Sequence, residues 1–530
     1  MLFAGNKALT VLISADSCVT ISSNTNECGG QDVLRNLSTI IIAVCLIVPF
    51  FQGAAVFAAG SSGLKQMAVA STECRSGNLL IHWKKDGRAA GYYIYRRNGT
   101  ADDGGSWSSS PIAEIKGNST LYYQDKRVSP GSSYVYKVYS YSKGAGPQTP
   151  DADGGTDALY LAQTSAGSCV FSGGKLSLSW KKVKGAERYQ IQYADNGFFC
   201  NPRTIRKKGT SAAIAGLSRD KHWYVRIRGI KGENAGMWAL SENARKERTA
   251  KYTYESKDNK RIELRSLTGQ SMYYNDTVQG STSDGAFNYY ALYDRKRNEC
   301  RIAKVKSDSM DTVKVSDILP IHHGNDLTWD SEKKRIAAVH SEEGILKVAW
   351  IDPEKLTVIK NVTVKLPGKI FGAASSRMAG IRGFAGIAYE SQSGQYILKI
   401  KKTGAVLVTD GEFSPLRYSK LTKNCSNLDQ SVCTGQGMIL RVQSGGNIIC
   451  GYDLYGNYIA RVKVKVPGEL EGIYFNKNKL YGSVYKSYYT TKYKTVKKKV
   501  KKKGKWVWKK TRVKYKVLHR DNYVIHITDY

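Results

Sequence analysis

The chain has 530 residues, more than a single hydrophobic core accommodates, so its length predicts about three or four domains. It contains 35 Tyr and 51 Gly against 11 Pro, and its apolar residues alternate instead of recurring at helical spacing, which excludes a mainly helical protein. The formal net charge of +37 excludes a neutral surface and predicts long-range attraction to polyanions. The sequence therefore predicts an all-β, strongly cationic protein.

Residues 1–58 are predicted to be a secretory signal segment. Arg35 precedes an apolar run from Ile40 to Phe51, and small residues follow it. This run is short for a membrane span and is broken by Pro49, so it suits a signal peptide that is cleaved before Ala59. We expect an exported chain with no membrane span after cleavage, and an uncleaved anchor is the alternative.

The cysteines after residue 58 are odd in number and irregularly spaced, which indicates neither a disulfide framework nor a zinc site. Cys425 and Cys433 could close a short loop, although no spacing requires it. No metal and no cofactor are predicted. A secreted chain that is poor in disulfides is typical of a bacterial surface. The cysteines are Cys74, Cys169, Cys200, Cys300, Cys425, Cys433 and Cys450.

A duplicated segment follows. The stretch Ser179–Tyr193, SWKKVKGAERYQIQY, aligns without a gap with HWKKDGRAAGYYIYR upstream, which places Trp83 on Trp180 and Tyr92 on Tyr189. In each copy a Trp ends one alternating run and a Tyr opens the next. This pattern predicts two half-buried strands joined by a loop.

Each copy continues into another alternating strand, in Val128–Tyr141 and in Leu217–Ile230. The pattern resembles the fibronectin type III module of bacterial secreted and surface proteins. The resemblance implies two β-sandwiches, which we place at residues 68–163 and 164–249, with Tyr134 and Tyr224 as their tyrosine corners. Such a sandwich is a scaffold, so the resemblance implies no activity.

Residues 262–530 change to short strands separated by closely spaced turns. Similar segments begin at His323, Gly383, Thr434 and Glu469, with a weaker copy at Gly285. Their average separation is close to that of a four-stranded propeller blade. We predict a C-terminal β-propeller of about five blades.

Stacking these segments places polar residues at the expected mouth of the propeller channel. We predict a site there for a cation or a hydroxylated ligand such as a sugar. Alternatively, these residues only cap water in the channel and form turns. Glu469 or Glu471 with His323 could also supply an acid and a base, but no catalytic motif occurs in a credible context, and we predict no enzyme. The predicted ligand-binding residues are His323, Asn325, Asp326, Gln436 and Glu471, with His322 contributing.

A basic segment lies near the end of the chain. Fifteen Lys and Arg, and no Asp or Glu, occur between Lys486 and Lys516. Apolar residues alternate with Lys on both sides of Gly504, which predicts a basic β-hairpin over residues 493–517, inserted into a last blade that Asp521–Ile527 completes. A solvated decoration is the alternative to polyanion binding. The predicted polyanion-binding residues are Lys498, Lys499, Lys501, Lys502, Lys503, Lys505, Trp506 and Trp508.

Together these patterns favour a secreted bacterial cell-surface protein for binding or adhesion. The propeller would be the recognition head and the sandwiches a spacer, with an anionic cell-wall polymer or glycan as partner and a host surface ligand as a further candidate. The alternative is an extracellular carbohydrate-active enzyme with accessory sandwich modules. The charge would also suit a nucleic-acid-binding protein, but the export signal argues against a specific nucleic-acid partner.

Overall fold

A computed structural model describes residues 10–13, 19–22, 63–241, 248–254, 276–422, 429–435, 437–443, 445–528 and 530. The chain divides into two compact units, Met1–Ser62 and Gly63–Tyr530. In the first unit, β1 (Thr10–Ile13) pairs antiparallel with β2 (Val19–Ser22). The rest of the predicted signal segment lies outside the described residues.

Two packed sheets form the first sandwich. One sheet has the strand order β4-β5-β8, and the other has the order β10-β9-β6-β7 with β3 also paired to β9. Residues 64–67, which precede the predicted start of this module, form β3. The strands are β3 (Leu64–Met67), β4 (Val69–Arg75), β5 (Asn78–Trp83), β6 (Gly91–Asn98), β7 (Ala113–Lys116), β8 (Tyr122–Asp125), β9 (Ser133–Tyr141) and β10 (Thr156–Leu159).

The second sandwich repeats this arrangement. Its sheets have the orders β11-β12-β15 and β14-β13-β16-β17, with β18 also paired to β16. Its strands are β11 (Ala166–Ser172), β12 (Lys175–Trp180), β13 (Arg188–Ala194), β14 (Arg203–Lys207), β15 (Ser211–Ile214), β16 (Tyr224–Lys231), β17 (Asn234–Ala235) and β18 (Ala239–Leu240).

The duplicated segments have the same packing in both sandwiches. The rings of Trp83 and Tyr92 lie 5.3 Å apart at 59°, and those of Trp180 and Tyr189 lie 5.4 Å apart at 58°. Each Tyr hydroxyl also accepts a backbone N–H six residues upstream. The predicted fibronectin type III-like fold is confirmed.

The corner residue of the second sandwich differs from the prediction. In the first sandwich the Tyr134 hydroxyl accepts the N–H of Ser129, as predicted for a tyrosine corner. In the second, Trp223 takes this place, donating its indole N–H to the Ser218 carbonyl and packing in the sandwich core. Tyr224 instead packs in a cluster shared with the propeller. The assignment of Tyr224 was wrong by one residue, because strand alternation sends neighbouring side chains to opposite faces.

The first three propeller blades are separate antiparallel four-stranded sheets. Helix α1 (Ser375–Ala379) lies between the second and third blades. Blade 1 comprises β20 (Asp276–Ser283), β21 (Phe287–Asp294), β22 (Glu299–Lys306) and β23 (Thr312–Val315); blade 2 comprises β24 (Leu327–Asp330), β25 (Arg335–Val339), β26 (Lys347–Ile351) and β27 (Val358–Thr363); blade 3 comprises β28 (Phe384–Glu390), β29 (Gln395–Ile400), β30 (Ala405–Thr409) and β31 (Pro415–Lys420).

Blades 4 and 5 are joined through a strand from upstream of the propeller. This strand, β19, pairs in parallel with the last strand of blade 4 and antiparallel with β38. We expected Asp521–Ile527 to complete the last blade, but it lies in β38, the third strand, and β19 is the fourth. The strands are β19 (Arg248–Tyr254), β32 (Asp429–Gly435), β33 (Met438–Gln443), β34 (Ile448–Asp453), β35 (Tyr458–Val464), β36 (Glu469–Asn476), β37 (Lys479–Lys502) and β38 (Lys505–Thr528).

Five apolar clusters hold the five blades together, one between each pair of neighbours. The cluster between blades 4 and 5 also contains Phe198, Phe199 and Cys200 of the second sandwich. The ring of Phe198 packs so close to Gly451 that a Cβ there would lie 2.7 Å from it. The second sandwich is therefore packed against the propeller.

Candidate functional site

The first strands of the five blades meet at the propeller axis through small or polar residues. A Cβ on Gly280 of blade 1 would lie 2.2 Å from the Cα of Asp326, and one on Gly472 would lie 2.5 Å from Ser281 Oγ. Register shifts interrupt the first strands of blades 1, 3, 4 and 5 at this level. The axis is therefore closely packed here, and side chains must be small to fit.

Asp326 connects three blades at this level. Its Oδ1 accepts the Ser431 hydroxyl at 2.8 Å, and its Oδ2 accepts the backbone N–H groups of Ile387 at 3.1 Å and Val432 at 2.9 Å. The carboxyl is fully buried, and burial raises its pKa well above the usual range although these hydrogen bonds oppose the rise. We predicted a ligand contact for Asp326, and the contacts observed are with the blades themselves.

Asn325 is also engaged with a neighbouring blade. Its Nδ2 donates to the Ala385 carbonyl at 3.0 Å, and its backbone N–H donates to Ser341 Oγ at 2.9 Å. Asn325 therefore links blade 2 to blade 3, and the contacts observed are again with the propeller itself.

Glu471 is a buried carboxyl whose hydrogen bonding within the described residues is incomplete. Its side chain is 2% exposed, and its Oε2 has no hydrogen-bond partner among the described residues. Burial raises the pKa of Glu471 to about 8; Glu469 adds to the rise and Arg295 opposes it. At neutral pH this group is therefore largely protonated and can donate as well as accept a hydrogen bond.

His323 is affected by the same arginine. Burial lowers the pKa of His323 to about 4, with smaller contributions from Arg295 and Lys401. Its ring lies 4.0 Å from that of Tyr293, and its Nε2 has no hydrogen-bond partner in the described part of the chain. His322, by contrast, is partly exposed, and its Nε2 lies 2.8 Å from Glu342 Oε2.

The fourth blade departs from the predicted alignment. Gln436 lies outside the described residues, and its neighbours Gly435 and Gly437 end β32 and begin the turn to β33. The first strand of this blade is β32, so Ser431 occupies the axial position. The similar segments that begin at Thr434 and Gly285 lead into the second strands β33 and β21 and not into the strands that line the channel.

The opposite end of the channel contains a small cavity of about 170 Å³. All five first strands contribute to its lining. A neighbouring cavity of about 200 Å³ adds Cys200 and Asn201 of the second sandwich. The residues common to the two cavities are Tyr389, Ser391, Thr434 and Phe475.

The basic hairpin is a two-stranded ribbon that extends beyond blade 5. Strand β36 ends its pairing with β37 at Glu469↔Tyr485, and β37 continues paired with β38 alone from Lys486↔Asp521 to Lys502↔Lys505. At about 3.3 Å per residue these seventeen residues per strand reach about 55 Å. Because Glu469 begins its strand at the channel mouth, the ribbon leaves the propeller on the same side as that mouth.

The turn of the ribbon lies where the sequence predicts it. Lys503 and Gly504 have φ values of 47° and 79°, which suit a two-residue hairpin turn. Every Lys and Arg from Lys492 to Lys516 is exposed. The predicted polyanion-binding residues all lie in the outer part of the ribbon.

The two faces of the ribbon carry similar numbers of cations but different apolar residues. Since cross-strand partners share a face, the register assigns each side chain to one of two sets. One set, here called the aromatic face, contains Tyr489, Tyr493, Trp506, Trp508, Lys497, Lys499, Lys501, Lys510, Arg512, Lys514 and Lys516. The other, here called the valine face, contains Val496, Val500, Val507, Val513, Val517, Tyr515, Lys486, Lys492, Lys494, Lys498, Lys502, Lys505 and Lys509.

Sequence reasoning did not find a cavity of about 1090 Å³ between the two sandwiches and blade 4. Arg226 and Arg228 reach it from β16 and stack on the Trp238 ring at 4.7 and 4.3 Å. Burial lowers the pKa of Arg226 to about 9, and the charge of Arg228 contributes. The Arg-x-Arg spacing places both on one face of a strand, but the cavity itself is built by residues from both sandwiches and from the propeller, which lie far apart in the sequence.

Other chemistry is limited in the described part of the chain. Six cysteines there are free thiols, and Cys425 lies outside it. Within the same residues, no cluster of three or more His, Cys, Asp and Glu could hold a metal ion. No helix of the described segments is long and apolar enough to span a bilayer.

These features define an all-β protein in which two fibronectin type III-like sandwiches precede a five-bladed propeller with an inserted basic hairpin. No protein-family description and no curated protein matches the chain. A glutaminyl cyclase of Myxococcus xanthus is similar at 11% identity over 45% of this chain and 92% of that chain, with a TM-score of 0.32.

Two other solved structures are similar over smaller parts. A hydrazine synthase of Kuenenia stuttgartiensis matches at 10% identity over 41% of this chain and 57% of that chain, with a TM-score of 0.27. A segment of two fibronectin type III domains from chicken tenascin matches at 12% identity over 34% of this chain and 97% of that chain, with a TM-score of 0.18. At these scores the similarities imply nothing about function.

Proposed function

We propose that this chain is a secreted binding protein of the bacterial cell surface and that its ribbon holds an anionic polymer. The observation that carries the proposal is the ribbon itself, a projection of about 55 Å whose cations from Lys492 to Lys516 are all exposed. Surface charges of one sign at this density attract polyanions and release their counterions. A cell-wall polymer or an acidic glycan is the partner that this chemistry fits.

The sandwich modules support this function by position. We predicted a spacer, and Phe198 and Phe199 pack the second module against blades 4 and 5. The modules would therefore hold the propeller in a fixed orientation relative to the surface that carries them.

The test is retention of the full chain on purified anionic cell walls. We expect Lys498→Gln, Lys499→Gln, Lys501→Gln and Lys502→Gln together to weaken retention strongly, and salt to abolish it as the screening length falls below about 10 Å. The matched control removes four exposed charges from the sandwiches, at Lys84, Lys85, Lys181 and Lys182. An equal loss of retention in both variants would show that binding to the wall depends on net charge and not on the ribbon.

A second candidate function is favoured by one observation at the channel mouth. Glu471 is a buried carboxyl with a pKa of about 8 and an unsatisfied Oε2 within the described structure, the state required of a general acid or of a donor to a sugar hydroxyl. The proposal is an extracellular carbohydrate-active enzyme.

A glycan array combined with a turnover assay separates these possibilities. Binding without turnover, lost in Glu471→Gln, supports a ligand site. Turnover that is lost in Glu471→Gln supports the enzyme, and the absence of both binding and turnover contradicts this second candidate.

A further inference from the structure

The ribbon separates its aromatic residues from its valines. The exposed large apolar side chains between Tyr489 and Leu518 are mostly on the aromatic face, with Trp506 67% exposed and Tyr489 and Trp508 64% exposed. The valine face has only Val507 and Tyr515 in this group. From Lys492 to Lys516 the aromatic face has seven cations and the valine face six, so charge alone does not explain this asymmetry.

Each of three aromatic rings on the aromatic face has a cation beside it. Lys499 Nζ lies 5.5 Å from the centre of the Trp508 ring, Arg512 Cζ lies 4.2 Å from that of Tyr493, and Lys516 Nζ lies 5.8 Å from that of Tyr489. These ring–cation pairs recur along the ribbon, with Tyr493 and Tyr489 about 13 Å apart along one strand. The valine face has two such pairs, Lys486 with the half-buried Tyr488 at 5.4 Å and Lys494 with Tyr515 at 5.6 Å. The repeated unit is a flat apolar surface next to a positive charge, and the aromatic face presents it with the more exposed rings.

This unit matches a sugar that carries its own carboxylate. A hexuronate has a flat C–H face that stacks on an aromatic ring and a carboxylate on the same six-membered ring that reaches the adjacent cation. Polyphosphate supplies the charge but no ring, and a neutral glycan supplies rings but no charge. In a nucleotide, the sugar separates the base from the phosphate.

We infer that the aromatic face binds a linear acidic polysaccharide built from uronate residues, which lies along the ribbon. This inference rests on the proposed function and specifies its ligand. The cations of both faces provide the long-range attraction, and the rings of the aromatic face provide the preference for sugar.

The experiment measures binding of the full chain to polygalacturonate and to polyphosphate at equal charge concentration and low salt. The test variant combines Tyr489→Ser, Tyr493→Ser and Trp508→Ser. The control variant combines Val496→Ser, Val500→Ser and Val507→Ser on the valine face and leaves the Tyr515 ring of that face in place. Neither variant changes the charge, and both are first checked for an unchanged thermal transition.

We expect the test variant to lose about tenfold or more in affinity for polygalacturonate and less than about twofold for polyphosphate. The control variant should change by less than about twofold with either polymer. Methyl-esterified polygalacturonate should bind weakly to the parent and to both variants, since it keeps the sugar rings but not the carboxylate charge. A single Trp508→Ser variant provides the same comparison if the triple variant is unstable.

Three results would overturn the inference. One is an equal loss of affinity for polygalacturonate and polyphosphate in the test variant. Another is a loss of affinity for polygalacturonate in the control variant equal to that in the test variant. The third is tighter binding of poly-dT than of polygalacturonate with the same dependence on the rings, which would indicate a single-stranded nucleic acid. If the parent protein retains neither polymer at low salt, the proposed function fails together with the inference.

Discussion

Two buried carboxyl groups at the propeller axis differ in their hydrogen bonds. Asp326 is satisfied by a hydroxyl and two backbone N–H groups from neighbouring blades, whereas Glu471 has an oxygen without a partner in the described structure. Burial raises the pKa of both groups. Asp326 therefore holds blades together, and Glu471 has hydrogen-bonding capacity left for a ligand.

The pH dependence of stability tests the state of Glu471. Below about pH 4.5 its carboxyl is protonated in both the folded and the unfolded chain, so burial carries no charge penalty. Between there and about pH 8 only the folded chain keeps this proton, so Glu471 lowers the free energy of unfolding as pH rises, by up to about 1.4 kcal/mol per pH unit. His323, whose pKa burial lowers to about 4, acts in the opposite sense below about pH 6.5. Glu471→Gln should remove this contribution of Glu471, so the free energy of unfolding of the variant minus that of the parent should rise with pH across this range, as measured by denaturant unfolding.

The control for this measurement is Glu187→Gln, at a carboxyl of the second sandwich that is 61% exposed. It should follow the parent profile. A Glu471→Gln variant with the same slope as the parent would show that Glu471 ionises normally in the folded protein.

At the level of structural elements, the duplicated hairpins are equivalent in geometry as well as in sequence. Trp83 and Trp180 are 2% and 5% exposed and pack against equivalent tyrosines. Each fills the core of its own sandwich. The two tryptophans should therefore contribute similar amounts to stability.

Substitution of either tryptophan tests this equivalence. Trp83→Ala and Trp180→Ala should each reduce the free energy of unfolding of their module by about 3 to 5 kcal/mol, because each removes a buried aromatic ring. Trp506→Ala is the matched control, since Trp506 is 67% exposed on the ribbon and should leave stability unchanged. Unfolding curves of the full chain in denaturant measure all three. A Trp180→Ala protein as stable as the control would contradict the core assignment.

For the molecule as a whole, the propeller depends on a strand from outside its predicted boundary. Strand β19 pairs with β35 through Arg248–Ala250 and with β38 through Lys251–Tyr254. It therefore covers the edges of two blades that would otherwise present unpaired backbone groups. The predicted propeller at residues 262–530 does not contain this strand.

Fragments with different starting points test the role of β19. A fragment of residues 248–530 should unfold cooperatively at a clearly higher temperature than one of residues 262–530, because each lost ladder hydrogen bond contributes about 0.5 to 1.5 kcal/mol. Calorimetry of the two fragments makes the comparison, and a synthetic peptide of residues 248–254 should raise the melting temperature of the shorter one. Equal melting temperatures without the peptide would show that the fifth blade is stable with three strands.

Local patterns in the sequence determined the fold class, the two sandwiches and the ribbon. Alternation with a period of two, the Trp–Tyr repeat and the turn at Gly504 depend on neighbouring residues, so they are readable without a structure. The first strands of blades 1 and 4 were missed because they line a narrow axis and carry small, polar residues. The second strands of these blades are packed on both faces and have the stronger apolar pattern, so sequence patterns point to the second strands in place of the first.

Only the tertiary structure decided which residues share a site. It brought Ser431 to Asp326, separated the ribbon into an aromatic and a valine face, and closed blade 5 with a strand more than 270 residues upstream of its partner β38. Pairing register and burial depend on contacts between distant segments, and a one-residue shift exchanges the faces of a strand. Local sequence therefore specifies the strands of this protein, while long-range packing specifies their partners.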